Sequence, residues 1–292
     1  MSRRWIVQAT GPSTVGQVLD CMEDPEAFAE GRAFVGKIRA TRREAPLPPG
    51  SEVIIYPPRK GTQEPRVLGE RDGVLALFKP APLPTIADHR GDRCLLRWAC
   101  DQVHREDLHT TSRLDVGVSG VVLIACDRAA RDRLALAREQ HQYRRVYLAI
   151  APSGVTPGTW TWSIGKGKGN RRAALPPGTP GALDARTHAT LLASTPRAAL
   201  LRVEPVSGRT HQIRVHAAAA AAPLYGDPLY GGSMKITAPS GAITRADRVA
   251  LHALRVEAPD ASGAPWRVEA PPPDDFLALW HALGGAALPE VP

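Results

Sequence analysis

At 292 residues the chain is long enough for a catalytic domain with a small appendage, the arrangement expected here. A formal charge of +8 and a sequence pI of about 9.7 are high for an enzyme of small metabolites, because such an excess raises affinity for polyanions, nucleic acid first among them. Cys21, Cys94, Cys100 and Cys126 form no C-x-x-C pair, which argues against a zinc site or a disulfide framework.

In chain order, VGQVLDCM (15–22) reads as a short helix and SEVIIY (51–56) as a strand, enough for a small α+β module. PPRKGTQEP, Pro57 to Pro65, has linker composition, so the chain divides into a module at 1–57, a linker at 58–65 and a large domain at 66–292. DGVLALFKP reads as a strand ended by Pro80, and SGVVLIACD as a strand buried on both faces. Asp127 suits the cap of a helix RAARDRLALAREQH, on which Leu134 and His141 share a face. In YRRVYLAI the period of two sets Val146, Leu148 and Ile150 against Arg145, Tyr147 and Ala149, so Tyr147 need not be core.

Asn170 to Ala185, rich in glycine and proline, reads as a loop, followed by paired strands THATLLAS and AALLRVEPV. Thr210 can cap a helix HQIRVHAAAAAA that carries His211, Arg214 and Ala218 along one face. A strand VALHALRVEAP and a helix DFLALWHAL, capped near Asp274 or Asp275, close the order. The irregular alternation favours an α+β fold with a mixed sheet. No secretory core and no run of eighteen uncharged apolar residues is present, so a soluble, cytoplasmic protein without membrane association is expected.

By itself Asp115 reads as a turn aspartate. A glycosidase needs two carboxylates at a set separation, and no partner acid is suggested in this motif. GRTHQIRVH (208–216) holds two histidines, but their H-x4-H spacing is not the i, i+4 pair of zinc helices, and no metal is expected. Arg214 is the better charge partner, since guanidinium binds carboxylate in two-point geometry and favours its ionised form. GKGKG (165–169) lacks phosphate-loop spacing and reads as a basic RNA-facing loop or plain surface, and GVSG (117–120) is not a G-x-S-x-G elbow.

Taken in order, VLALFKPAPLPT, SRLDVGVSGVVLIA, YRRVYLAI, GRTHQIRVHAA with PLYGDPLYGG, and VALHALRVEAP resemble the RluA-type pseudouridine synthases, from about Val67 to the C-terminus. The family pattern H-R-L-D-x-x-T-S-G-x-x-L falls on Ser112, Arg113, Leu114, Asp115, Ser119, Gly120 and Leu123. The resemblance implies a mixed, mainly antiparallel central sheet with the cleft along its middle, Asp115 as catalytic aspartate, Tyr147 as active-site tyrosine and Arg214 as the aspartate's basic partner. The N-terminal module resembles, more loosely, a small RNA-binding domain shared with a ribosomal small-subunit protein. Three positions depart from the pattern: Ser112 for a histidine, Val116 to Val118 for a more polar stretch, and Pro82 for a glycine.

The implied activity is cofactor-free isomerisation of specific uridines in ribosomal or transfer RNA. One carboxylate suffices, attacking the anomeric carbon or removing a sugar proton to give a glycal. Arg113 would replace the flipped-out base or hold a phosphate. Tyr147 would offer a face to the uracil and a hydroxyl to late proton removal. The RNA-contacting set is expected to be Arg113, Arg145, Lys166, Lys168, Arg209 and His211, on a monomer. The rivals are a catalytically silent RNA-binding or ribosome-assembly protein of the same fold, and a basic nucleoside hydrolase.

Overall fold

The computed structural model describes residues 2–29, 31–56, 63–87, 93–169 and 171–292. The expected linker lies outside the described residues from Pro57 to Thr62. Near the N-terminus, strands β1 (Arg3–Ile6), β2 (Ala33–Val35), β3 (Ile38–Arg39) and β4 (Glu52–Ile55) form an antiparallel sheet in the order β1-β4-β2-β3. Helices α1 (Val15–Cys21) and α2 (Glu26–Ala29) accompany it. The Thr14 hydroxyl accepts from the Gln17 N–H and caps α1, whose Val15, Val18 and Leu19 pack with Val53 and Ile55.

The second unit runs β5 (Arg66–Arg71), β6 (Val74–Lys79), α3 (Leu95–Val103), β7 (His109–Thr110), β8 (Ser119–Ala125), α4 (Arg128–Glu139) and β9 (Arg144–Pro152). It continues with β10 (Gly158–Trp160), the hairpin β11 (Ser163–Lys166) and β12 (Arg172–Leu175), β13 (Thr187–Ser194), β14 (Ala198–Pro205) and α5 (Gln212–Ala219). A small hairpin, β15 (Lys235–Thr237) with β16 (Ile243–Arg245), precedes β17 (Leu251–Pro259), β18 (Pro265–Glu269) and α6 (Asp274–Ala282). The main sheet follows β10-β13-β14-β9-β17-β8-β6-β5, with β18 on β17 and β7 on β8. Among its described strands only β17 and β8 pair in parallel, at His252↔Ser119 and Ala253↔Gly120. The architecture is the expected α+β fold with a mixed, mainly antiparallel sheet.

Helices cover both faces, which explains why β8 and β9 read as nearly unbroken apolar runs. On one face α4 packs Ala130, Leu134 and Ala137 against Val121 and Leu123, and α5 packs Ile213 and Ala217 beside Tyr147 and Leu251. On the other, α3 meets Leu75 and Val122, and α6 sets Phe276 and Trp280 against Leu148 and Ile150. Each buried leucine or isoleucine contributes about 1.5–3 kcal/mol on this kind of burial. Where the two parallel strands touch, a Cβ on Gly120 would lie 2.2 Å from the Ala253 carbonyl oxygen, and its φ of +126° suits glycine alone.

Several expectations change. Helix α4 is capped by Asp127, as expected, but ends at Glu139, and His141 lies beyond it in the left-handed region. Arg172–Leu175, inside the expected loop, forms β12, because it can close a hairpin on Ser163–Lys166. Thr210 is not the cap of α5: His211 holds that position, and the helix stops at Ala219. Pro273 takes the cap position of α6, with Asp274 and Asp275 in its first turn, where a carboxylate favours the helix N-terminus. Tyr147 is core: only 7% exposed, it packs with Val118, Leu201 and Leu251, because a central strand covered on both faces has no solvent side.

Candidate active site

Asp115 stands in the loop between β7 and β8, and its neighbours on either side are tied down. The Thr85 hydroxyl accepts from the Leu114 N–H and donates to the Leu114 carbonyl, both at 3.0 Å. After it, the turn closes by a Val118 N–H to Asp115 carbonyl bond, and the Lys79 ammonium donates to the Val116 carbonyl at 3.4 Å. Lys79 is fully buried and also donates to the carbonyls of Pro80 and Leu83. Burial pushes its pKa down to about 7 against the opposing pull of Asp115. Upstream, the hydroxyls of Ser112 and Tyr143 lie 3.1 Å apart.

The aspartate's partner comes from α5. Arg214 Nη1 donates to Asp115 Oδ2 at 2.8 Å. The two-point geometry expected for this pair is directed elsewhere: Arg214 Nε and Nη2 both donate, at 2.7 Å, to the carboxylate of Asp227. Asp227 is fully buried, whereas the Asp115 side chain is 27% exposed. A second acid is therefore present, but it orients the arginine and is closed to substrate. Burial works against the charge of Arg214, yet its hydrogen bonds to Asp227 and the field of Asp115 outweigh that and hold it cationic. No described residue donates to Asp115 Oδ1, which leaves that oxygen for a reacting atom.

Local sequence explains both arms of this arrangement. The turn GDPLYGG brings Asp227 under Arg214, and it closes tightly: a Cβ on Gly226, at φ +72°, would lie 1.8 Å from the Arg248 carbonyl oxygen. At the first residue of α5, the Gln212 side chain accepts from Ser207 Oγ and the Arg209 N–H while donating to the Arg186 carbonyl and Thr187 Oγ1. Those four bonds fix the segment that delivers His211. Its Nε2 lies 3.8 Å from Asp115 Oδ2, and its Nδ1 lies 2.8 Å from the hydroxyl of Tyr230. Burial lowers the His211 pKa; Arg214 and Arg172 add to this, while Asp115 and Asp227 oppose it.

These groups open onto a cleft of about 2130 Å³, roughly twice the upper end of small-molecule pockets at about 300–1,000 Å³. Arg113, Arg138 and Arg145 line one part, and Lys166, Arg171 and Arg172 of the β11–β12 hairpin another, with Arg186 just before β13 and Arg209 just before α5. Against them stand Asp115, Glu139 and Asp184. Of the residues singled out in the sequence, Asp115, Arg214, Arg113, Arg145, Lys166, Arg209 and His211 gather here. Lys168, exposed near the hairpin tip, is not among the lining residues, and Tyr147 lies in the apolar layer beneath. Burial, the largest influence on Tyr147, raises the pKa of its phenol, so it stays protonated at neutral pH. Sequence reasoning missed Asp227, Tyr230, Lys79 and Thr85, although the first two lie in PLYGDPLYGG and the others in VLALFKPAPLPT.

Among the described residues no cluster of metal-ligating side chains occurs, and no helix is long and apolar enough to cross a membrane. Residues 73–219 match the family described as RNA pseudouridylate synthase. Similar proteins include the ribosomal large subunit pseudouridine synthase D of Nitrosomonas europaea, 33% identical over 75% of this chain and 65% of the relative. The protein of that name from Vibrio parahaemolyticus is 37% identical over 59% of this chain and 54% of the relative. In Xanthomonas campestris it is 36% identical over 74% and 69%. The chain thus spans 65% and 54% of the first two of these relatives. In fold it is similar to the human RNA pseudouridylate synthase domain containing 4, with a TM-score of 0.59 at 20% identity, covering 75% of this chain and 92% of that one. A loop-borne aspartate over a mixed sheet, inside a matched segment that covers half of the chain, places it: the chain belongs to the RNA pseudouridylate synthase family, RluA type.

Proposed function

We propose that this protein is an RNA pseudouridine synthase that isomerises uridines in structured RNA, ribosomal RNA first, with Asp115 as its one catalytic carboxylate. The observation that carries this reading is the ion pair of Asp115 with an arginine already saturated on its other side by Asp227. Such an arginine leaves one carboxylate oxygen unengaged and directed to chemistry that needs a single acid. Asp115 bonds to the anomeric carbon or removes a sugar proton, the uracil leaves, turns and rejoins through carbon, and no cofactor enters.

The target uridine must leave its stack, at about a few kcal/mol, before it reaches this cleft. Arg113, exposed beside Asp115, takes the vacated place or holds a phosphate. Tyr147, in the apolar layer beneath the cleft, supports the floor on which the uracil lies, and its phenol, kept protonated by burial, does not serve as a base. The cationic walls engage the flanking phosphates, and the size of the cleft suits several nucleotides better than a free nucleoside. Residues 1–57 act as an accessory RNA-binding module, and the protein works as a monomer.

RNA carrying tritium at the uracil carbon that becomes the glycosidic link tests the proposal. The wild-type protein is expected to release tritium and Asp115→Asn to release none. Equal release by both would overturn the assignment, and release of free uracil would indicate hydrolysis instead.

A further inference from the structure

His211 has an unusual setting for a residue of a basic loop. Its φ of +58° lies in the left-handed region, which costs a non-glycine residue about 1–2 kcal/mol, although histidine is among the types that visit it. It occupies the cap position of α5 without making a capping bond. The strain instead delivers the ring to the cleft beside Asp115, the kind of place where backbone strain accompanies function.

Hydrogen bonding fixes what the ring presents there. The Tyr230 hydroxyl lies 2.9 Å from the Arg172 N–H, which it accepts, and 2.8 Å from His211 Nδ1. The Asp115 carboxylate facing Nε2 favours the tautomer with the ring proton there, and in that tautomer the Tyr230 hydroxyl, accepting from the amide, donates to Nδ1. The opposite tautomer would turn an Nε2 lone pair towards the Asp115 carboxylate. The Arg214 guanidinium, 5.1 Å over the Tyr230 ring, and Asp227 behind it complete the charged surroundings. At 3.8 Å from Asp115 Oδ2 the Nε2–H makes no hydrogen bond with it, so a donor stands unspent next to the proposed reacting carboxylate.

We propose that His211 is a further catalytic residue, whose Nε2–H donates to the uracil carbonyl adjacent to the ring atom joined to ribose, O2 before the base turns and O4 afterwards. This rests on the isomerisation proposed above. When the bond between C1′ and N1 breaks, its electron pair leaves with the base and spreads over N1, O2 and O4. A half turn about the line through N3 and C6 exchanges N1 with C5 and O2 with O4, so one fixed donor meets an equivalent oxygen in both steps. C5 then bonds to C1′, Asp115 is released from the sugar or returns the proton it took, C5 loses its proton to water, and N1 takes one from water, so the product is neutral. His211 transfers no proton; it stabilises developing charge as an oxyanion donor does.

The test uses RNA whose target uridine is replaced by 2-thiouridine or 4-thiouridine, since sulfur accepts hydrogen bonds weakly. The rate loss on replacing oxygen by sulfur is expected to be larger in the wild type than in His211→Asn, by about tenfold or more, with each substrate. Asparagine tolerates the left-handed backbone, so the variant keeps the loop. On unmodified RNA, His211→Asn is expected to lose about a hundredfold in kcat with KM little changed. Tyr230→Phe, which frees the tautomer and also takes the acceptor from the Arg172 N–H, should lose less kcat and keep KM. Sulfur effects as large in His211→Asn as in the wild type, or a loss confined to KM, would overturn the role. Failure of the wild type to make pseudouridine from unmodified RNA would instead remove the isomerase reading, and this one with it.

Discussion

Asp227 holds Arg214 in a two-point grip at 2.7 Å in a fully buried setting, and only the third guanidinium nitrogen reaches Asp115. Removing one member of such a buried pair leaves a charge without compensation, which costs about 3–5 kcal/mol. Asp227→Asn is therefore expected to lose stability of that order in denaturant unfolding and to reduce turnover, although Asp227 touches no substrate. Unchanged stability together with unchanged turnover would show that Arg214 needs no such anchor. At this scale the sequence was informative about residue types and silent about pairings. Arg214 and Asp115 are 99 positions apart, and their partnership followed from the family pattern. Asp227 stood within PLYGDPLYGG but had no role until the fold closed the turn beneath Arg214.

Between elements, the parallel contact of β8 with β17 carries a buried link: His252 Nδ1 lies 2.9 Å from Ser119 Oγ, and Nε2 lies 2.8 Å from the Ala270 carbonyl. Burial, opposed by the Ala270 carbonyl, lowers the His252 pKa to about 4 from 6.5. The folded state thus binds fewer protons than the unfolded one between these values. The stability this group contributes is present above pH 6.5 and is lost as pH falls towards 4, up to about 3 kcal/mol. Unfolding midpoints measured across that range should fall more steeply for the wild type than for His252→Gln; parallel slopes would remove His252 as the cause. Helix and strand positions were legible wherever periodicity or a cap marked them, as with Asp127 and the run Ser119–Ala125. The β11–β12 hairpin was not, because glycine and proline around it read as loop while its pairing is a contact between segments.

Across the whole molecule, the charge of +8 is focused on the cleft that holds Asp115. Each lysine or arginine that neutralises a phosphate adds about 0.7–0.9 to the steepness with which log affinity falls against log salt. Lys166→Ala, on the cleft wall, is expected to reduce the steepness for RNA binding by about that much, and Lys168→Ala, outside the lining, by less. Equal effects would move the RNA contact from the cleft wall to the hairpin tip. By itself the sequence determined the class of fold, the family and the identity of the central acid and its arginine, because these rest on local periodicity and on ordered motifs. Only the tertiary structure decided that Tyr147 is core, that Asp227 orients Arg214, and that His211 faces Asp115 with Tyr230 at its back. Each depends on which distant segments share a face of the sheet, and a linear pattern carries no distances.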